Sequence, residues 1–447
     1  MKRILLFHII FCLLFVILPV VPAGGQTTYN LDIIFQRGIP DTSLRYWGAA
    51  IAGVGDVNGD GYDDVAVGAY TLNTWYPKIF VFYGSASGLD TTYDLLLEPP
   101  LDNINLSITG GDINKDGYSD IILGCSGNNP KIWVYYGSSI MDSTVDVVFG
   151  GLNQPNYMSY ATVATGDLNG DDTTDLIVGD YWNKNGDGHV YVYKGSAAFD
   201  TLPWVEIKGH GGEELGFSLS ASGDINNDGF DDLAVGAINY GADCRGRLYV
   251  FFGGSTMDTV PDMCKDGEGP NQSWGWMNVA ILPNDKGYGK AGIGCCLWPN
   301  GFMSENRGKT IIFDGGAVMD SFPDAIMLGQ NDSSALGYWN AWAGDLDTNK
   351  YGDWGSLASY DSMGLLWRCN VTTDTLADAW LKYLKPGLLA NAGDVNGDGR
   401  DEVMFASNAD TNRLVVICKY TGPDGVAGRP GNNEQLTISN MFQNAPN

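Results

Sequence analysis

A segment of about 14 residues, written seven times along the chain, constrains the fold more than any other feature. "GDVNGDGYDDVAVG" from Gly55, "GDINKDGYSDIILG" from Gly111, "GDLNGDDTTDLIVG" from Gly166 and "GDINNDGFDDLAVG" from Gly223 align without a gap. "GDLDTNKYGDWGSL" from Gly344 and "GDVNGDGRDEVMFA" from Gly393 are looser copies, and "ILPNDKGYGKAGIG" from Ile281 is a degenerate one between Gly223 and Gly344. The leading acids Asp56, Asp112, Asp167, Asp224, Asp345 and Asp394, with Leu282 in the degenerate copy, are spaced by 56, 55, 57, 58, 63 and 49 residues. A period of this size means one supersecondary unit that buries its faces only against its neighbours.

Each unit carries four strand signals. A small-residue run ("AAIAGV", "SLSASG") precedes the acidic loop, "DVAVGA" follows it, then an aromatic and β-branched run such as "KIFVFYG" or "HVYVYKG", then a last run after a "DT" or "DS" turn. Such runs are strand formers, and no helical period interrupts them. The expected fold is all-β, a seven-bladed β-propeller with four-stranded blades over residues 29–420. A linear solenoid fits less well, because its rungs are shorter. The last unit ends at "NRLVVICKY" with no fourth strand, whereas "YNLDIIFQ", Tyr29 to Gln36, precedes the first. The N-terminal strand is therefore expected to complete the last blade and remove the open edge.

Within each loop, oxygen-bearing side chains fall at positions 1, 3, 5 and 9. They are Asp56, Asn58, Asp60 and Asp64; Asp112, Asn114, Asp116 and Asp120; Asp167, Asn169, Asp171 and Asp175; Asp224, Asn226, Asp228 and Asp232; Asp345, Asp347, Asn349 and Asp353; Asp394, Asn396, Asp398 and Glu402. Hard oxygen ligands converging from a tight loop suit Ca²⁺, and glycine at position 6 permits the left-handed turn that wraps the loop round an ion. Position 7 (Tyr62, Tyr118, Thr173, Phe230, Tyr351, Arg400) varies, as expected if only its backbone carbonyl binds. An EF-hand would place its last acid at position 12 between helices, so the loop is not one. Up to six Ca²⁺ are expected. Loops three and six should bind more weakly, having Asp172 and Lys350 at position 6. The degenerate loop has Leu282, Asn284, Lys286 and Lys290 in the ligand positions and should bind none. There a lysine either supplies the positive charge, tied to loop carbonyls or Asp285, or marks drift to an ordinary turn.

The pattern resembles the FG-GAP repeats of integrin alpha-subunit propellers. The Phe-Gly signature is altered to Trp47-Gly48, Leu215-Gly216, Trp274-Gly275 and Leu336-Gly337, and Gly-Ala-Pro to Gly68-Ala69-Tyr70 and Gly236-Ala237-Ile238. The resemblance implies calcium in the acidic loops and ligand binding by loops on the opposite face. Strand parity puts "AYTLNTWYPK", "GDYWNKNGDG", "AINYGADCRG" and "CCLWPNGFMSENRG" on that face, with Trp75, Tyr76, Tyr181, Trp182, Tyr240, Trp298 and Phe302 as candidate contacts for a protein or glycan ligand. Packing between blades is the competing explanation for any one of them.

The formal charge of −28 repels nucleic acid and anionic lipid, and 44% hydrophobic residues can bury a large core. Lys2 and Arg3, an apolar run from Ile4 to about Leu18 and "PVVPAGG" give residues 1–23 the order of a cleaved export signal. Secretion or a cell-surface location is expected, the periplasm included, with no membrane span after cleavage. Residues 421–447 read as a linker, "TGPDGVAGRPGNNEQ", followed by "LTISNMFQNAPN". The latter resembles the opening of a type IX secretion sorting domain; a truncated reading frame and a chance match both remain open. Cys244 and Cys264 flank two strands and could face each other as a disulfide.

Catalytic signatures are sparse: only His189 and His210 follow the leader, and neither a nucleophile-elbow nor a zincin motif is present. The expectation is therefore an adhesion or ligand-binding module and not an enzyme. A calcium-assisted polysaccharide lyase using His210 with Glu213 and Glu214, and a purely structural surface protein, are the alternatives.

Overall fold

Each copy of the repeat folds into one antiparallel meander, and the seven meanders pack side by side. The computed structural model describes residues 31–420 apart from 42, 73, 100–104, 127–130, 151–160, 275–278, 285–286, 300–306, 332–333, 360, 362, 368, 370–378, 383–385 and 408–412. The expected leader and C-terminal tail lie outside the described residues. Strand β1 (Leu31–Gly38) comes first. Blade one is β2 (Leu44–Gly55), β3 (Asp64–Thr71), β4 (Pro77–Phe82) and β5 (Leu95–Leu97), and blade two is β6 (Asn105–Gly111), β7 (Asp120–Ser126), β8 (Lys131–Tyr135) and β9 (Val147–Phe149). Blade three is β10 (Ala161–Gly166), β11 (Asp175–Asp180), β12 (His189–Tyr193) and β13 (Val205–Lys208), with one helical turn, α1 (Asn183–Gly186), between its second and third strands. Blade four is β14 (Leu215–Ser220), β15 (Leu233–Ala237), β16 (Arg247–Phe251) and β17 (Met263–Asp266), and blade five is β18 (Val279–Leu282), β19 (Lys290–Cys295), β20 (Lys309–Asp314) and β21 (Ala325–Leu328). Blade six is β22 (Leu336–Gly344), β23 (Asp353–Ala358), β24 (Met363–Trp367) and β25 (Ala379–Lys382). The last blade has only β26 (Pro386–Gly393), β27 (Glu402–Ser407) and β28 (Leu414–Tyr420) of its own.

Its fourth strand is β1, which pairs antiparallel with β28 from Leu31↔Tyr420 to Gly38↔Leu414 and closes the ring as expected. The closure is also packed. Phe35 is buried with Val415 and Ile417 of blade seven and with Trp47, Phe80 and Phe82 of blade one, edge-on to Phe82 at 5.2 Å between ring centres. The Trp47 indole N–H donates to the Arg37 carbonyl at 2.9 Å. Similar apolar clusters fill the other blade interfaces, for example Ile122, Ile132, Val134, Leu176 and Val178 between blades two and three. The innermost strands of all seven blades line a central channel of about 880 Å³.

Antiparallel pairing fixes the two faces of the ring. The acidic loops join first to second strands at one end of every blade, and the loops joining second to third strands lie at the other.

Candidate metal loops and the opposite face

The acidic loops are built around the position-1 aspartate. In the first loop, Asp56 Oδ1 accepts the N–H groups of Gly59 and Asp60 at 2.6 and 3.1 Å, and Oδ2 accepts Gly61 N–H at 2.8 Å. The bond from the position-6 N–H recurs in all six acidic loops at 2.7–2.9 Å. The backbone turns left-handed at position 6 in every one, including Asp172 (φ 59°) and Lys350 (φ 70°), so glycine is favoured there but not required. Position 4 is left-handed too, at Gly59, Lys115, Gly170, Asn227, Thr348 and Gly397. The loop pattern at positions 1, 3, 5 and 9 gave no sign of that second turn.

Position 9 lies deepest. Asp64, Asp120, Asp175, Asp232, Asp353 and Glu402 are fully buried. Asp64 Oδ2 accepts Val57 N–H at 2.9 Å and Oδ1 accepts Gly84 N–H at 2.8 Å, so one carboxylate ties the acidic loop to the turn after the third strand. Asp120, Asp175, Asp232 and Asp353 bridge the same two places, to Gly137, Gly195, Gly253 and Cys369. Burial, reinforced by the neighbouring loop acids and opposed by the two N–H bonds, pushes Asp64, Asp120 and Asp232 from 3.8 to about 7. Asp175 reaches about 6 and Glu402 about 8, and Asp353 is raised strongly, with burial the first cause in each. A buried carboxylate among other acids calls for either a proton or a cation.

The degenerate fifth loop resolves that need internally. Lys290 stands at position 9, is 6% exposed and pairs with Asp314, the last residue of β20. Gly315 N–H, which would have met a carboxylate, donates instead to the Gly289 carbonyl at 2.9 Å. The lysine is thus anchored on the third strand and not on its own loop. Asp285 and Lys286 lie outside the described residues.

The six acidic loops are not equivalent. In loops one, two and four the position-3 amide donates to the position-5 carboxylate (Asn58 to Asp60, Asn114 to Asp116, Asn226 to Asp228), and its oxygen accepts the position-5 backbone N–H. Loop three departs from this: Asn169 turns inward to both oxygens of Asp175. In loop seven Asn396 turns to Glu402, and Lys419 from β28 pairs with Asp398. Loop six brings carboxylate oxygens of Asp345, Asp347 and Asp353 within 4.8 Å of one another, the only such group of three among the described residues. Lys350, expected to weaken this loop, is exposed and supplies its backbone N–H to Asp345. All-oxygen donors at positions 1, 3, 5 and 9 suit a hard divalent cation in all six acidic loops, and in loop six three carboxylates already converge. Loop five does not fit one.

Position 7 does more than lend a carbonyl. Its side chain reaches the loop of the preceding blade: a Cβ at Gly59, Gly170 or Gly397 would lie 2.4, 2.6 or 2.5 Å from a ring carbon of Tyr118, Phe230 or Tyr62. Where position 4 is Lys115, the next blade carries the smaller Thr173, and Lys115 Nζ donates to the Asp171 carbonyl at 2.8 Å.

On the opposite face, the seven expected ligand contacts divide. Tyr76 and Trp182 are exposed, at 41% and 39%. Tyr181 is buried against Phe217 at the channel, Trp298 donates to Glu268, and Tyr240 lies under the Arg247 guanidinium at 3.5 Å. Trp75 is half-buried in a stack that the linear sequence hides. Arg45 lies 3.0 Å over Trp75, Trp75 stacks on Tyr46 at 5.4 Å, and Arg413 from blade seven covers Tyr46 at 4.4 Å. Phe302 lies outside the described residues. The His210 cluster is occupied by protein contacts: Glu213 accepts His210 N–H and the Tyr249 hydroxyl, and Glu214 accepts from Asn239. Cys244 and Cys264 are free thiols, because Cys264 faces Tyr249 across the β16–β17 pair while Cys244 sits in the loop ahead of β16.

Comparison with known proteins bears on the repeat directly. Residues 112–178 match the FG-GAP-like repeat, and residues 47–74 and 215–251 match the FG-GAP repeat. Over 214 residues the chain is 32% identical to integrin alpha pat-2 of Caenorhabditis elegans, covering 41% of this chain and 17% of that protein. Over 218 residues it is 28% identical to integrin alpha-5 of Xenopus laevis, covering 43% and 19%. The chain is an integrin-alpha-like FG-GAP β-propeller. The match spans less than a fifth of those relatives' own length. The solved structure of BBS1N in complex with ARL6DN, soaked with lead, aligns with 89% of this chain and 98% of its own at a TM-score of 0.54 and 9% identity, a likeness of fold alone. Among the described residues no helix of the propeller is long and apolar enough to cross a membrane.

Proposed function

We propose that this propeller is a secreted or cell-surface adhesion module, braced by Ca²⁺ in its acidic loops and binding a protein ligand on the opposite face. The observation that carries the calcium reading is the charge pattern at position 9. Six blades bury an acid there, and the remaining one, blade five, buries a lysine with its own counter-ion. Asp or Glu at position 9, with the position-1 and position-5 side chains, would hold the ion, which when bound supplies positive charge to a buried anionic loop. Chelation is the test. At free calcium about ten times Kd each occupied loop adds about 1.4 kcal/mol to the folded state, so EDTA should lower the melting temperature by many degrees. An unchanged melting curve would sink the reading.

The ligand reading rests on the resemblance to integrin alpha chains and on the Arg45–Trp75–Tyr46–Arg413 stack, flanked by exposed Tyr76 and Leu72. Aromatic and arginine side chains are the types that dominate protein interfaces. Surface-display adhesion with Tyr46→Ala and Tyr76→Ala, against Trp298→Ala as an internal-packing control, tests it. Loss in the first two alone supports this patch, loss on a glycan array in their place assigns a carbohydrate ligand, and no loss removes the patch from consideration.

A further inference from the structure

The blades meet at a contact that involves each loop's position 8. Its backbone N–H donates to the position-1 carbonyl of the preceding blade's loop: Ser119 to Asp56, Thr174 to Asp112, Asp231 to Asp167, Gly289 to Asp224, Asp401 to Asp345 and Asp63 to Asp394, at 2.8–3.4 Å. Gly352 completes the ring by donating to Pro283, one residue further along the degenerate loop. Each position-1 aspartate is therefore held from the next blade.

In three places the grip has a second point. Asp231 Oδ2 accepts Asp167 N–H at 2.9 Å, Asp401 Oδ2 accepts Asp345 N–H at 2.9 Å, and Asp63 Oδ2 accepts Asp394 N–H at 2.8 Å. Room for these carboxylates comes from the glycine ahead of the aspartate. A Cβ at Gly393 would lie 2.3 Å from Asp63 Oδ2, and one at Gly344 would lie 2.3 Å from Asp401 Cβ.

The loops so gripped are three, six and seven, the same three that depart from the full ligand pattern. Loop three lacks a position-6 glycine and turns Asn169 away, loop six has Asn349 at position 5 and Lys350 at position 6, and loop seven has Glu402 at position 9 with Asp398 held by Lys419. Loops one, two and four, with Asp-Asn-Asp-Gly-Asp at positions 1, 3, 5, 6 and 9, are followed by Ser119, Thr174 and Gly289, none of them acidic. We propose that Asp231, Asp401 and Asp63 are positioning residues that complete the cation sites of loops three, six and seven from the neighbouring blade. They are not ligands. Each fixes the peptide of the ligand aspartate and adds negative charge beside the ion, as outer-shell partners of metal ligands do.

The proposal rests on calcium occupying these loops, and the experiment separates the two. Calcium alone is titrated into the full chain, with heat of binding and the calcium-induced rise in melting temperature as readouts. Asp231→Ser, which installs the residue type of blade two, should weaken one site by about tenfold or more. Asp167→Asn disables loop three itself, and Asp224→Asn disables loop four, to which Asp231 belongs. Adding Asp231→Ser should change nothing further in Asp167→Asn but should still weaken a site in Asp224→Asn. The opposite pattern overturns the proposal, because Asp231 then serves its own loop. A drop in melting temperature in EDTA that leaves the calcium titration unchanged also overturns it, since the role is then only structural. If the wild-type protein takes up no calcium, the underlying reading fails and takes the proposal with it, an outcome visible in the wild-type curve alone. Should Asp231→Ser not fold, Asp401→Ser with Asp345→Asn repeats the cycle at loop six.

Discussion

In EDTA this protein should be more stable at pH 5 than at pH 8, the reverse of what carboxylates paired with cations usually give. The reason lies in the position-9 carboxyls. Asp64, Asp120 and Asp232 are carried from 3.8 to about 7, first by burial and then by the loop acids beside them. Between those two values the native protein holds protons that the unfolded chain has released, so raising the pH through that window favours unfolding. A displacement from 3.8 to about 7 corresponds to about 4 kcal/mol per loop. Three such loops rival the roughly 5–15 kcal/mol by which a folded domain exceeds its unfolded chain. Bound calcium would supply the missing charge and displace the protons, so on the calcium reading the gradient should vanish or reverse in millimolar calcium, and affinity should weaken as the pH falls below 7. Melting curves by circular dichroism at pH 5, 6.5 and 8, in EDTA and in calcium, measure both trends. Asp120→Asn isolates one loop: it should cost stability in calcium yet be neutral or stabilising in EDTA at pH 8. A melting temperature in EDTA that stays level or rises from pH 5 to pH 8 would refute the reasoning.

Ring closure predicts that Phe35→Ala costs about 3–5 kcal/mol by urea denaturation, because the ring is buried between the last blade and the first; a change under about 1 kcal/mol would mean that β1 does not seal the propeller. Lys290→Ala should cost about 1–3 kcal/mol, less than a fully buried pair because Asp314 is 37% exposed, and should leave the calcium-induced rise in melting temperature as in wild type. Gly397→Val combines a strained left-handed position with a clash against Tyr62 and should destabilise by about 2 kcal/mol or more. Tyr62→Thr, copying the small residue that faces Lys115, should recover the steric share, and a double-mutant cycle with no coupling would show that the two residues do not meet.

The architecture was legible because each blade repeats its own strand pattern, and a strand's alternation is a property of neighbouring residues. The ring closure was legible for a similar reason: a missing fourth strand at "NRLVVICKY" and a spare one at "YNLDIIFQ" are both visible by counting. What could not be read was whatever depends on the next blade. Position 7 looked free to vary, yet Tyr62, Tyr118 and Phe230 each fill the space above a glycine of the preceding loop, more than 50 residues away or at the far end of the chain. The partner of Lys290 was sought within its own loop, at Asp285, and lies instead across the sheet at Asp314, where the β19–β20 register sets Lys290 opposite it. The Arg45–Trp75–Tyr46–Arg413 stack escaped notice because it joins blade one to blade seven. The same limit explains why the loop sequences gave Asp63, Asp231 and Asp401 no role. Within their own loops they are the first half of "DD" or "DE", and only the packing of blade on blade carries their side chains to the backbone of another blade's position-1 aspartate. A loop in this propeller therefore records two places at once, its own turn and the aspartate backbone it grips next door.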